Sequence, residues 1–231
     1  MTAQPSLDPS KRQELLVEGM LRHLALLDDA NASRLSWAAF WDLRTKLAKA
    51  ELEWTTLSLT MCRLLFALSC CHQPRSLLVL GSHVGFAAAW LLRDRADGRC
   101  GAPVQSFDGV DPDRSANVRA RRNCELLGHV GCTRIHDETG QSFLGRNRGA
   151  FDIVLIDIDE PVAGKAAYAE LLKLASPQLS PGALVLGHDP LVPRFAEDIA
   201  AFHEAIETDP SFEGPWVLPV DDCGLTLARR R

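Results

Sequence analysis

Four features are missing from this sequence, and each absence removes a class of protein. There is no basic surplus: 25 Lys and Arg stand against 30 Asp and Glu, a formal net charge of −5, and only "RARR" (Arg119 to Arg122) and "ARRR" at the end are concentrated. Nucleic acid binding needs a basic face, so no nucleic-acid partner is expected. There is no C-x-x-C pair among the seven cysteines, an odd number, and "MTAQPSLDPSKRQ" does not read as a secretory leader. The thiols are therefore expected to be reduced and the chain cytoplasmic, with adjacent Cys70 and Cys71 as buried thiols. There is no membrane-length apolar run: "LTMCRLLFALSCC" carries Arg63 in its middle and falls short of the ~20 residues a span requires, so it reads as a buried helix and no membrane partner is expected. Finally, no repeat or low-complexity segment divides the chain.

What is present is an apolar content of 46% over 231 residues, enough for one large domain, or one domain with an N-terminal extension. From about Lys11 to Cys71 the pattern is helical. "QELLVEGMLRHLALLDD" repeats apolar residues at three and four, and "SWAAFWDLRTKLAKAELEW" does so after an N-cap at Ser33 or Ser36. Trp37, Trp41 and Trp54 offer either an aromatic pocket or core contacts, and the helical spacing of the first two favours the core. After Pro74, strand-like runs ("SLLVLG", "VQSFDGVD", "CTRIHDE", "FDIVLIDID", "GALVLGHD") alternate with helical ones ("FAAAWLLRDR", "RSANVRARRNCELLGH", "GKAAYAELLKLASPQL"). This alternation predicts an α/β fold with a doubly wound, mostly parallel sheet. Near the end, "EDIAAFHEAIETD" reads as a helix, and "WVLPV" and "GLTLARR", joined by "DDCG", as a C-terminal antiparallel hairpin. The expected division is a helical extension over residues 1–53 and an α/β domain over 54–231. His72, His129 and His203 are expected in loops or at the surface.

Ligands of such sheets lie beyond the carboxyl ends of the strands. The first strand runs into "GSHVGFA", where Gly81 and Gly85 allow backbone to approach a ligand; His83 stands where a dinucleotide fingerprint would need its middle glycine. A tight turn alone would also explain the glycines. The second strand ends in Asp111, about 30 residues after Gly81, where a carboxylate can accept both hydroxyls of a ribose; Asp113 reads as a helix cap. The fourth strand ends in a burst of acids, Asp157, Asp159 and Glu160.

Taken in order and spacing, "LLVLGSHVGFAAAWLL", "GVDPD", "TGQSFL", "FDIVLIDIDEP", "LSPGALVLGHDPL" and "LPVDDCGLTLARRR" resemble the class I S-adenosylmethionine-dependent O-methyltransferases of the caffeoyl-CoA and catechol type, from about Trp54 to Arg231. The resemblance implies methyl transfer to a hydroxyl of a small-molecule acceptor, and a homodimer whose N-terminal helices contribute to the acceptor pocket and the dimer contact. It places the methionine part of S-adenosylmethionine (SAM) against Gly81, Ser82 and Gly85, the ribose on Asp111, and the adenine near Gly140, Gln141 and Ser142. It sets Asp157 beside the cofactor and, with His188 and Asp189, in the position of a divalent metal site.

Three departures from the family pattern bear on the chemistry. Val79 stands where an acid usually anchors the ammonium end of the cofactor. His188-Asp189 replaces an Asp-Asn pair, a donor set better suited to Mn²⁺, Fe²⁺ or Zn²⁺ than to Mg²⁺. Glu160 replaces a lysine that could act as base. The base is then Glu160, raised by its acidic neighbours, or His188, whose ordinary pKa lies near ~6.5; Glu160 also reads as a solvated residue at the start of the next helix. Asp157 could equally orient His188 in a metal-free arrangement. The same pocket would suit a nitrogen acceptor, a reaction on the aminopropyl chain of the cofactor, or a non-catalytic nucleoside-binding protein.

Overall fold

The computed structural model describes residues 8–50, 52, 57–146, 149–160 and 163–231. Trp54 and the expected boundary between residues 53 and 54 lie outside them. Seven strands form one sheet in the order β3-β2-β1-β4-β5-β7-β6, with β1 (Ser76–Leu80), β2 (Ser106–Val110), β3 (Thr133–His136), β4 (Phe151–Ile156) and β5 (Leu179–His188) parallel. β6 (Phe212–Leu218) and β7 (Leu225–Arg230) form the expected hairpin, and β7 enters between β6 and β5, antiparallel to both. The chain order reverses between β1 and β4, which opens a crevice at their carboxyl ends.

Both faces of the sheet are covered, as the nearly continuous apolar strands require. Leu77, Val79, Ile153 and Leu155 face one side, together with α1 (Pro9–His23), α2 (Trp37–Leu47), α3 (Leu59–His72), α4 (Phe86–Leu92) and part of α5 (Arg114–Leu126). Leu78, Leu80, Val154 and Ile156 face the other, against α6 (Gly140–Arg146), α7 (Tyr168–Ala175) and α8 (Ala196–Glu207). The N-terminal helices are thus integral to the first core rather than appended to it. Phe40 stacks on Trp90 at 4.9 Å, and α3 is buried on nearly all sides, including Arg63, which bonds Gln13 and Ser10.

Local chemistry sets the helix ends. Of the two serine caps considered, Ser36 accepts from the Ala39 amide, and Asp113 caps α5 by accepting from Ser115 and Ala116. Trp37 and Trp41 pack against the core and donate to Glu18 and Glu14, so they line no aromatic pocket. The histidine expectation needs correction: His129 is fully buried, with Nε2 3.1 Å from the Arg93 carbonyl, while His72 and His203 are half-buried and bonded to the Asp152 carbonyl and the Thr226 hydroxyl. "GKAAYAELLKLASPQL" is helical only from Tyr168, because Gly164 takes a φ of 57° and the Lys165 amide donates to the Asp198 carboxylate instead of starting a helix.

Edge strand β3 is tied to β2 by charge. Asp108, 4% exposed, lies opposite Arg134 and accepts from it at 2.8 and 2.6 Å, with His136 Nε2 a further 2.8 Å contact. Burial alone would raise the Asp108 carboxyl, but His136 and Arg134 outweigh it and hold the group below the usual carboxylate range. A depressed acid stabilises above its unfolded value, near ~3.9, and that contribution fades as pH falls through its folded value. Asp108→Asn should therefore lower stability at pH 7 by about 1–2 kcal/mol, allowing for the exposure of Arg134, and should reduce the further loss between pH 5 and pH 3. Urea unfolding of both proteins across that range checks both signs.

Candidate functional site

The crevice at the chain reversal holds a cavity of about 410 Å³ whose lining includes Gly81, Asp111, Gly140, Gln141, Asp157 and Glu160. Its floor is backbone. Gly81 donates its amide to the Val110 carbonyl and takes a φ of 81°; a Cβ there would lie 2.1 Å from the Asp157 carbonyl oxygen. Only glycine lets the β1 turn pass this close to the end of β4. Gly85, also at φ 81°, begins α4, and a Cβ at Gly140 would meet Leu171 at 2.9 Å, so Gly140 brings α6 against α7.

The walls are acidic. Asp111, Asp157, Asp159 and Glu160 line the cavity, and no described lining residue is a Lys or Arg, although Lys165 and Arg194 pair with Asp157 and Asp159 from outside the lining. Asp111 accepts the His83 amide at 2.9 Å and the Asp113 amide at 2.9 Å, which fixes its carboxylate at the cavity edge. Asp159 pairs with Arg194 at 2.7 Å. Glu160 is exposed; its backbone forms a bridge with Gly164 through two hydrogen bonds, Glu160 N to Gly164 O at 3.1 Å and the reverse at 2.9 Å.

Behind Asp157 lies a buried charge cluster. β4 and β5 are neighbours, and their ends bring Asp157, His188 and Asp189 together as expected: His188 Nδ1 lies 3.2 Å from Asp157 Oδ1 and 3.2 Å from Asp189 Oδ1. Asp189 takes a left-handed φ of 68°, costly for a residue other than glycine, to point its carboxylate inward. A fourth member arrives that sequence reasoning missed. The Lys165 side chain is fully buried, and its Nζ sits 3.3 Å from Asp157 Oδ1 and 2.9 Å from Asp189 Oδ2, over the rings of Tyr168 and Phe195. The available signal was Gly164: a glycine turn soon after the acids returns the chain, and the lysine that follows it, beneath them.

This arrangement decides two of the expected roles. Burial would make His188 easier to deprotonate, but Asp157 and Asp189 outweigh it and raise its pKa above the usual histidine value. The imidazole is 2% exposed and does not line the cavity, so the structure does not bring His188 to the place the expected base role would need. Asp157 is likewise pushed up by burial, yet His188 and Lys165 hold its carboxyl well below the usual carboxylate range. The metal expectation fits poorly, since the position between Asp157 and Asp189 is filled by an ammonium at hydrogen-bond distances. His188, Asp189 and Cys223 do place ligand atoms within 4.8 Å of one another, but burial and Asp189 push the Cys223 thiol up to about 12, away from the thiolate that binds metals.

The other expected residues divide. Gly81, Asp111, Gly140, Gln141, Asp157 and Glu160 meet at the cavity, while Gly85, Ser82 and Ser142 do not line it. The Ser82 hydroxyl is buried beneath the loop, facing Gly109, with no hydrogen-bond partner among the described residues. Ser142 is exposed on α6. Val79 is buried in the first core, so the acid missing at that position is replaced by packing.

Comparison with known proteins bears on this crevice. Residues 78–190 match the family model described as a methyltransferase domain. No curated protein sequence matches the chain. Among solved structures, the O-methyltransferase TomG from Streptomyces achromogenes, in complex with SAM, is similar at a TM-score of 0.65 and 18% identity, over 97% of this chain and 99% of that one. An O-methyltransferase from Bacillus cereus in complex with SAH gives 0.63 and 16%, over 93% and 97%. The SAH-bound Podospora anserina methyltransferase PaMTH1 gives 0.58 and 14%, over the full length of both chains. The protein has the Rossmann-like methyltransferase fold, with the sheet order and C-terminal strands described above.

The close approach at Gly81 makes a sharp prediction. Gly81→Ala adds a left-handed penalty and a clash with rigid backbone, and should cost about 2 kcal/mol or more. Gly98→Ala, whose Cβ would meet nothing within 4 Å, should stay within about 0.5 kcal/mol of the wild type. Urea unfolding midpoints of the two variants test the contrast.

Proposed function

We propose that this chain, which carries a methyltransferase domain at residues 78–190, transfers the methyl group of SAM to a hydroxyl of a small molecule. The observation that carries this reading is the cavity itself: a backbone-floored crevice at the chain reversal, walled by four carboxylates and no Lys or Arg among its described lining residues. Such a site suits a ligand bearing both a sulfonium and an ammonium charge. The similar structures of TomG, in complex with SAM, and of the Bacillus cereus enzyme and PaMTH1, each with SAH, support the same reading.

Bound here, SAM supplies an electrophilic methyl group. In this assignment the Gly81 turn lies against its methionine part, Asp111 accepts the ribose hydroxyls, and Gly140 and Gln141 border the adenine. With Val79 apolar, Asp157, whose backbone carbonyl lies against Gly81 and which lines the cavity, takes the ammonium end. Catalysis is then largely positioning of the acceptor oxygen in line with the methyl carbon. Glu160, exposed at the cavity rim, takes the proton of the acceptor hydroxyl, a role open to it because His188 is buried behind Asp157.

The proposal extends to a cytoplasmic homodimer. Six of the seven cysteines are buried and all are free, which suits a reducing compartment, and no described helix is long and apolar enough to cross a membrane. Leu15 and Leu16, about 45% exposed on α1, supply apolar surface for a two-fold contact. Light scattering at micromolar concentration should give twice the chain mass; a monomer mass would count against the pairing.

Binding and turnover separate the assigned roles. Asp111→Ala should weaken SAH binding by about 1–3 kcal/mol in calorimetry, whereas Glu160→Gln should leave SAH affinity near wild type and lower kcat by about 10²-fold or more. Product analysis should find methylated acceptor and SAH. Methylthioadenosine instead would move the assignment to a reaction on the aminopropyl chain, and tight binding without turnover to a nucleoside-binding protein.

A further inference from the structure

Lys165 is held too firmly to be a side chain that happens to fold inward. Its backbone amide donates to Asp198 Oδ2 at 2.9 Å, Gly164 before it turns at a φ of 57° against Phe195 and Asp198, and the Glu160–Gly164 bridge closes the loop at its base. The side chain then runs, with 0% exposure, between the rings of Tyr168 and Phe195 to end between Asp157 and Asp189. The ammonium lies 5.2 and 5.3 Å from the ring centroids of Tyr168 and Phe195, and the two carboxylates are its close charged partners.

We infer that Lys165 is a built-in cation: its ammonium occupies the position between Asp157 and Asp189 where the resemblance places a divalent metal, and the protein binds its cofactor without one. The distances favour an ammonium. Mg²⁺, Mn²⁺ or Zn²⁺ needs oxygens at about 2.0–2.2 Å, whereas the Asp157 and Asp189 oxygens stand at 3.3 and 2.9 Å from Nζ, the range of N–H···O bonds. Charge points the same way. A metal added beside Lys165 would place like charges a few ångströms apart in a buried site, and a metal replacing it would have to strand an ammonium among aromatic rings. His188 Nδ1 completes the set, facing both carboxylates. The loss of a lysine at position 160 is therefore answered by a lysine from the next turn of chain, in the role of a counter-ion and not of a base. Asp157, shared between the cavity and the cluster, is the residue through which this internal cation positions the site.

The inference rests on the methyltransferase reading only for its comparison site, so the test reads metal binding and SAH binding. The purified full chain, dialysed against EDTA, is titrated with Mn²⁺ and Mg²⁺ by calorimetry, with free Mn²⁺ followed by electron paramagnetic resonance, in the presence and absence of SAH. Wild type should take up no stoichiometric metal, and its SAH affinity should be the same in EDTA. Lys165→Ala, checked for folding by circular dichroism, opens the position and should bind Mn²⁺ about tenfold or more tightly than wild type, a gain that adding Asp157→Asn abolishes. One Mn²⁺ or Mg²⁺ per wild-type chain, removed by Asp157→Asn or by Cys223→Ser, would overturn the inference, as would a folded Lys165→Ala that gains no affinity. Should Lys165→Ala fail to fold, the wild-type titration alone decides. An absence of SAH binding would instead count against the proposed function and leave the cation measurement as it stands.

Discussion

The ammonium of Lys165 between Asp157 and Asp189 is the constraint on which the carboxyl end of the sheet depends. Two acids that close the neighbouring strands β4 and β5 would repel each other in a partly dry environment, and the strand ends would splay. With the ammonium between them and His188 alongside, the same acids pull the strand ends together. Asp157 is thereby fixed under the Gly81 turn, where its carbonyl would meet any side chain added at that position. One buried ion-pair cluster thus sets both the end of the sheet and the inner wall of the cavity.

The site shows a division of labour between charges. The buried set is balanced and has no direct access to the cavity except through Asp157. The rim set, Asp111, Asp159 and Glu160, is less enclosed and leaves the cavity electronegative, with Asp159 shared with Arg194. In the proposed function the rim would attract a cationic small molecule, and the cluster would hold Asp157 in place beside it.

How far this was legible in the sequence follows from which interactions are local. The doubly wound order was readable because apolar runs at strand spacing alternate with helical ones, and the caps at Ser36 and Asp113 act within three residues of themselves. Asp111, Gly140 and Asp157 could be placed at one crevice because strands of a parallel sheet all end on the same side. Lys165 could not be placed this way. Its burial depends on Asp198 of α8 and on Asp189 just after β5, both more than 20 residues away, and a lysine in a helical pattern reads as solvated until those partners are known. The same reason explains His129: nothing near it in sequence announces that the Arg93 carbonyl is its partner. The place of His188 was not legible for the same reason: its imidazole faces Asp157, 31 residues away in the chain, and lies outside the cavity lining.

The position of β7 has a consequence for how this cluster comes into being. β5 carries His188 and leads into Asp189, and its outer edge is covered only by β7, which lies between β5 and β6 although it follows β6 in the chain. β6 therefore cannot join the sheet first: while it waits, β5 presents an open row of amides and carbonyls next to the residues of the charge cluster. Such an edge is a template for pairing with another chain. The topology thus ties β6 to the sheet through β7 alone, so that one strand both closes the edge beside the charge cluster and carries the last strand of the sheet.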